Sequence, residues 1–165
     1  MIKLDALKKM NTEEKYKYML ILLEGQLSSE KDTLANLSNA SAIIKAAMDR
    51  LNWCGFYFVR QNELVLGTFQ GLPACNRIAI GKGVCGTAVE SGKIQRIEDV
   101  HKFPGHIACD SASNSEIVIP IIKNNKVYGV LDIDSPEFNR FGEVEEKYLA
   151  KFVDKLNSYI NWDEI

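Results

Sequence analysis

The sequence contains no basic run. Its 20 lysines and arginines are offset by 22 aspartates and glutamates, a net charge of −2, which excludes the electrostatic footprint of a nucleic-acid binder. A long apolar run is also missing. The longest near the N-terminus, residues 19–23, is far too short to span a bilayer. Lys3, Asp5, Lys8 and Lys9 break up the segment before it, so no signal peptide is expected and the cytoplasm is the expected compartment. No repeat, low-complexity tract or Pro/Gly/Ser-rich linker divides the 165 residues, and one domain is expected over residues 1–165. Cysteines are few, four in all. Where thiols are kept reduced, they read as free, metal-binding or catalytic before they read as structural disulfides.

Periodicity supplies the elements. Asn11 followed by Glu14 forms a capping-box signature, and Tyr16, Met19, Leu20, Leu23 and Leu27 repeat at helical spacing behind it. Asp32 is placed to cap a second helix with Leu34, Leu37, Ile44, Ala47 and Leu51 on one side. Strand patterns start at Trp53 and at Glu63, parted by the turn-forming Gln61-Asn62. Short strands are expected at residues 78–80 and 94–97, with a helix over residues 84–91 ended by Gly92. Residues 116–122 and 127–133 are apolar strands joined by Asn124-Asn125, and a last helix runs over residues 142–160. Helices bracketing a mostly antiparallel sheet make an α+β domain. The helices cannot cover every apolar face, so a helical homodimer is expected.

Residues 99–115 show no periodicity. A loop of that length inside a compact domain is usually functional, and this one carries His101, His106, Cys109 and Asp110. Cys109 lies in polar context, three residues after His106, where a cationic neighbour would favour its thiolate. Cys85 follows two glycines at a helix start, where the dipole would also favour a thiolate. Cys75 sits on a loop after Pro73, and Cys54 sits inside a strand, where a core role is expected. Asp132 and Asp134 share a strand face with Glu116 opening the neighbouring strand, and Trp53 and Tyr57 share parity on theirs. Clustered carboxylates favour a cation or a proton between them. Two competing motifs are set aside. Gly81 to Gly86 match the Gly-x-Gly-x-x-Gly fingerprint without the repeated βαβ units it requires. His101, His106, Cys85 and Cys109 lack the paired short spacing of a structural zinc site.

The motifs Trp53-Cys54-Gly55-Phe56-Tyr57, Gln70-Gly71-Leu72-Pro73-Ala74-Cys75, Gly83-Val84-Cys85-Gly86, Phe103-Pro104-Gly105-His106-Ile107-Ala108-Cys109-Asp110 and Ser115-Glu116-Ile117-Val118 follow in order along the chain. Together they resemble the free methionine-(R)-sulfoxide reductases, which are GAF domains. The resemblance implies a twisted antiparallel sheet of about six strands, with the N- and C-terminal helices on one face and a ligand pocket on the other. It implies Cys109 as nucleophile, Cys75 as resolving cysteine and Cys85 as a secondary resolving cysteine. Trp53, Tyr57, Glu116, Asp132 and Asp134 would line the substrate pocket. The expected reaction reduces free methionine (R)-sulfoxide through a sulfenic acid and a disulfide, with thioredoxin as reductant and no metal or other cofactor. Its proton donor is Glu116 or Asp134, a choice the sequence leaves open. The competing expectation is a non-catalytic GAF sensor of a small ligand or of oxidants.

Overall fold

Helix starts follow the capping chemistry of the sequence. A computed structural model describes residues 4–107 and 109–165; Ala108, within the loop motif above, lies outside them, as does Lys3 of the N-terminal segment. After a single turn, α1 (Leu4–Leu7), comes α2 (Thr12–Ser29), whose capping box is formed as expected. Asn11 Oδ1 accepts from the Glu14 amide, and Glu14 returns the bond to the Asn11 amide, both at 2.9 Å. Asp32 caps α3 (Thr33–Ala47) by accepting from the Ala35 amide. Leu37, Ile44 and Ala47 are buried as the spacing requires. Leu34 is not; it sits in the first turn of α3 with 67% of its surface exposed.

Six strands follow: β1 (Trp53–Arg60), β2 (Glu63–Gln70), β3 (Arg77–Ala79), β4 (Gln95–Ile97), β5 (Ser115–Lys123) and β6 (Lys126–Ser135). They form one sheet in the order β3-β2-β1-β6-β5-β4, every pair antiparallel. The Gln61-Asn62 and Asn124-Asn125 turns both take positive φ, the backbone that a two-residue hairpin needs. Helix α4 (Gly83–Ser91) ends on Gly92 in the left-handed region, and α5 (Glu143–Tyr159) closes the fold.

Strand alternation sorts the side chains into two layers. Cys54, Phe56 and Phe58 of β1, Ile117, Ile119 and Ile121 of β5, and Leu131 and Ile133 of β6 face α2, α3 and α5 in the main core. From α5, Tyr148, Phe152, Leu156 and the following Ile160 join it, whereas Val144 stays exposed. Cys54 is fully buried there, with burial pushing its thiol up to about 12, so the expected core role holds. The opposite parity, Trp53, Tyr57, Val118 and Val130, packs against Val84, Cys85, Ala88 and Val89 of α4. One helix therefore lies on the pocket face, an addition to the expected arrangement. A buried ionic knot ties the helical layer together: Glu145 accepts from Tyr16 Oη at 2.8 Å, from Arg140 at 3.1 Å and from the Gly142 amide at 2.8 Å.

Candidate active site

The pairing register builds the site. Asp134 of β6 stands opposite Trp53 of β1 on one side and Glu116 of β5 on the other. One step along, Asp132 stands between Gly55 and Val118. Three carboxyl groups thus converge on one patch of the pocket face, with Glu116 and Asp132 both buried. Above them lie the start of α4, which carries Cys85, and the segment carrying His106, Cys109, Asp110 and Ser113. These residues enclose a cavity of about 30 Å³ whose lining includes no lysine or arginine.

Burial without a cation sets the protonation states. Desolvation, followed by the charges of Asp132 and Asp134, holds the Glu116 carboxyl well above the usual carboxylate range. Asp134 is raised in the same way, by burial and then by Asp132. Asp132 rises only to about 6, because hydrogen bonds from Cys85 and Glu116 oppose its burial. Burial thus favours uncharged, protonated carboxyl groups in this cluster. Asp132 Oδ1 is buried with no partner among the described residues, an orphan acceptor that costs about 1–3 kcal/mol unless something fills it.

His106 Nε2 lies 3.7 Å from Glu116 Oε2. Burial, and then His101, lowers the imidazole, while the carboxyl is raised, so the contact joins two neutral groups rather than an ion pair. The expected cationic support for Cys109 is therefore not supplied by His106. Cys85 departs from expectation for the same reason. Its Sγ is buried 3.9 Å from Glu116 Oε1, and desolvation, then Asp132 and Glu116, push the thiol well above its ordinary value. The helix start it occupies does not offset three neighbouring acids.

Cys75 and Cys109 are bonded to each other, with Cα atoms 5.4 Å apart. Trp53 and Tyr57 do not border the cavity in this arrangement. Their rings stack at 5.8 Å, and both reach the Cys75 segment. Trp53 Nε1 donates to the Leu72 carbonyl at 3.2 Å, and Tyr57 Oη donates to the Cys75 carbonyl at 3.0 Å. Gly71 makes this possible, since a Cβ there would come within 2.5 Å of the Trp53 ring. Gly86 has a packing role as well: a Cβ on it would meet the Ala79 carbonyl at 2.5 Å. The glycine cluster thus seats α4 against β3, which agrees with setting the dinucleotide motif aside.

Asn52 was not legible as a site residue. Its Nδ2 donates to Asp110 Oδ2 and to Ser113 Oγ, both at 2.9 Å, and its amide donates to the Asp134 carbonyl. It fastens the Cys109 segment to the end of β1, yet no spacing rule marks an asparagine just ahead of a strand. His101 instead bonds Asn114 and does not line the cavity, so the zinc set considered from sequence is not assembled.

Residues 38–160 match the GAF domain family. The free methionine-R-sulfoxide reductase of Escherichia coli (strain K12) is 48% identical over 92% of this chain and 92% of its own length. This chain belongs to the free methionine-(R)-sulfoxide reductase family of GAF domains. Protein YtsP of Bacillus subtilis (strain 168) is 56% identical over 87% of this chain and 90% of its own. The free methionine-R-sulfoxide reductase from Neisseria meningitidis, solved in complex with its substrate, superposes with a TM-score of 0.89 at 38% identity. That match covers 94% of this chain and 93% of the other. The family and its α+β fold thus agree with the sequence reading. In this reductase family member the carboxylate cluster, the sulfur pair and the aromatic pair all gather at the pocket end of β1, β5 and β6. No described helix is long and apolar enough to cross a membrane.

Proposed function

We propose that this protein reduces free L-methionine (R)-S-oxide to methionine. The observation that carries the reading is the Cys75–Cys109 pair at the mouth of a cation-free carboxylate pocket. With the bond reduced, the Cys109 thiolate attacks the sulfoxide sulfur. The oxygen is protonated and leaves as water as the S–O bond breaks, leaving a Cys109–methionine sulfonium. Water then attacks Cys109 Sγ, the sulfur–sulfur bond breaks, methionine leaves, and Cys109 becomes a sulfenic acid. Cys75 condenses with that acid, releasing water and forming the disulfide. A dithiol protein of the thioredoxin class restores both thiols by exchange.

Glu116 is the proton donor in this scheme. It keeps its proton through burial and faces the His106–Cys109 segment. Asp134, also raised, supports the proton count of the cluster. Asp132, with its unpaired Oδ1, receives the substrate ammonium. Trp53 and Tyr57 wall the pocket once the Cys75 segment shifts, and Cys85, beside Glu116, is the reserve thiol. The reaction runs in one domain in the cytoplasm, with no metal or organic cofactor, since sulfur carries the electrons. Exposed Ile21 on α2 and Leu34 on α3 support pairing of two copies through the helical layer.

The reduced Cys109→Ser variant is expected to form no methionine even in a single turnover, because an alcohol is far less nucleophilic than a thiolate. Cys75→Ser is expected to complete one turnover and then stall with thioredoxin. Methionine counted by chromatography after rapid mixing checks both, and full single-turnover yield from Cys109→Ser would overturn the assignment. A sensor of the same fold would bind the sulfoxide and release it unchanged.

A further inference from the structure

The pocket combines a thiol and carboxylates in a way the proposed reduction does not fully use. Cys85, Glu116 and Asp132 each offer a donor atom, and those atoms lie within 4.8 Å of one another. The Cys85 Sγ to Glu116 Oε1 distance is 3.9 Å, and His106 Nε2 stands 3.7 Å from the other Glu116 oxygen. A tetrahedral zinc ion holds sulfur at about 2.3 Å and nitrogen or oxygen at about 2.0 Å, which separates neighbouring donors by roughly 3.3–3.6 Å. Cys85, Glu116 and Asp132 would have to close by up to about an ångström to reach that geometry, leaving the fourth position to water. A second observation points into the same space: Asp132 is 7% exposed, and its Oδ1 has no partner. The cavity suits an ion better than an amino acid, and its lining includes no lysine or arginine.

We propose that Cys85, Glu116 and Asp132 form a zinc site whose occupation shuts the pocket. The donor set selects the metal. One sulfur and two carboxylates, with water completing the tetrahedron, suit zinc, whereas magnesium and calcium take oxygen ligands and leave a thiol unused. The ion is an inhibitor and not a cofactor. It takes the carboxyl groups assigned above to substrate binding and proton donation, so metal and sulfoxide exclude one another. That exclusion rests on the proposed reductase reading; the metal site itself does not. Cys85 is free while Cys75 and Cys109 are bonded, so the site is complete in the disulfide form.

Zinc titration of the full chain with the Cys75–Cys109 bond intact tests the proposal, using a chromophoric chelator as competitor. One zinc per chain is expected. Cys85→Ser and Asp132→Asn should each weaken binding at least tenfold, and Cys54→Ser should leave it unchanged. Unaltered affinity in Cys85→Ser, or no stoichiometric binding by the wild type, would overturn the site. Should the Cys85 variant misfold, cobalt(II) on the wild type decides. A thiolate-to-cobalt charge-transfer band is expected, and an octahedral spectrum without it refutes the site. In single-turnover assays zinc should raise the apparent KM for methionine (R)-sulfoxide, reversibly on adding chelator, and this effect should shrink in Cys85→Ser. Zinc bound with those assignments while no sulfoxide is reduced would overturn the reductase reading and leave the site standing.

Discussion

At the scale of single residues, the strongest commitments are made by buried acids. Glu145 is held below the usual carboxylate range despite its burial, through bonds from the Gly142 amide, Tyr16 and Arg140. A depressed carboxyl contributes stability above its ordinary pKa and loses it as pH falls through the lowered value. Glu145→Gln should therefore cost about 1–3 kcal/mol near pH 7, because buried Arg140 loses one of its two counter-charges and keeps only the exposed Asp49. The difference from wild type should shrink as acidity protonates Glu145 itself, below the normal carboxylate range. Urea melts at several pH values check this. In the pocket the logic is reversed, with acids raised rather than lowered and no cation built in. Asp132→Asn should remove the charge assigned to the substrate ammonium and raise KM tenfold or more, with a smaller change in kcat. Steady-state kinetics with free sulfoxide decide it, and a fall in kcat alone would move the ammonium elsewhere.

At the scale of elements, the cavity above the carboxyl cluster is too small for what is proposed to enter it. About 30 Å³ holds water-sized occupants, and an amino acid of about ten non-hydrogen atoms needs several times that. Reduction should therefore loosen residues 71–77, residues 99–115, or both. Hydrogen exchange on the two redox forms should show faster exchange in one of these segments when the bond is open. Equal protection throughout would mean that substrate enters by another route. The same segments mark the limit of what could be read beforehand. Strands and helices announced themselves because alternation and helical spacing record which face is buried; the Asn11 and Asp32 caps and the two Asn-rich turns fell where expected. The parity of Trp53, Tyr57, Asp132 and Asp134 was legible for the same reason. What Asn52 grips, what shields Cys85, and the neutral state of His106 were not. Each depends on residues distant in the chain arriving at one place, and no local pattern encodes desolvation.

At the scale of the whole molecule, a pocket lined by Glu116, Asp132 and Asp134 and by no lysine or arginine is proposed to select by charge. A free amino acid would bring an ammonium to Asp132 under the proposed role; the same residue within a peptide would bring a neutral amide and a flanking chain. Leaving the buried acid unpaired penalises the wrong substrate. Peptide-bound methionine (R)-sulfoxide should thus be reduced at least a hundredfold more slowly than the free amino acid, judged by kcat/KM on the two substrates. Comparable values would contradict a pocket built around an ammonium.

The strand order β3-β2-β1-β6-β5-β4 has one more consequence. Its central pairing joins β1 from the first half of the chain to β6 from the second, so the acids and the aromatics meet only when distant segments close upon each other. Such non-local pairings are slow to form. A ribosome that has delivered Trp53, Cys75 and Cys109 has not yet delivered Asp132 and Asp134. Until synthesis passes β6, the nascent chain carries its reactive thiols without the acid cluster that is proposed to direct them, open to oxidation and to mispairing.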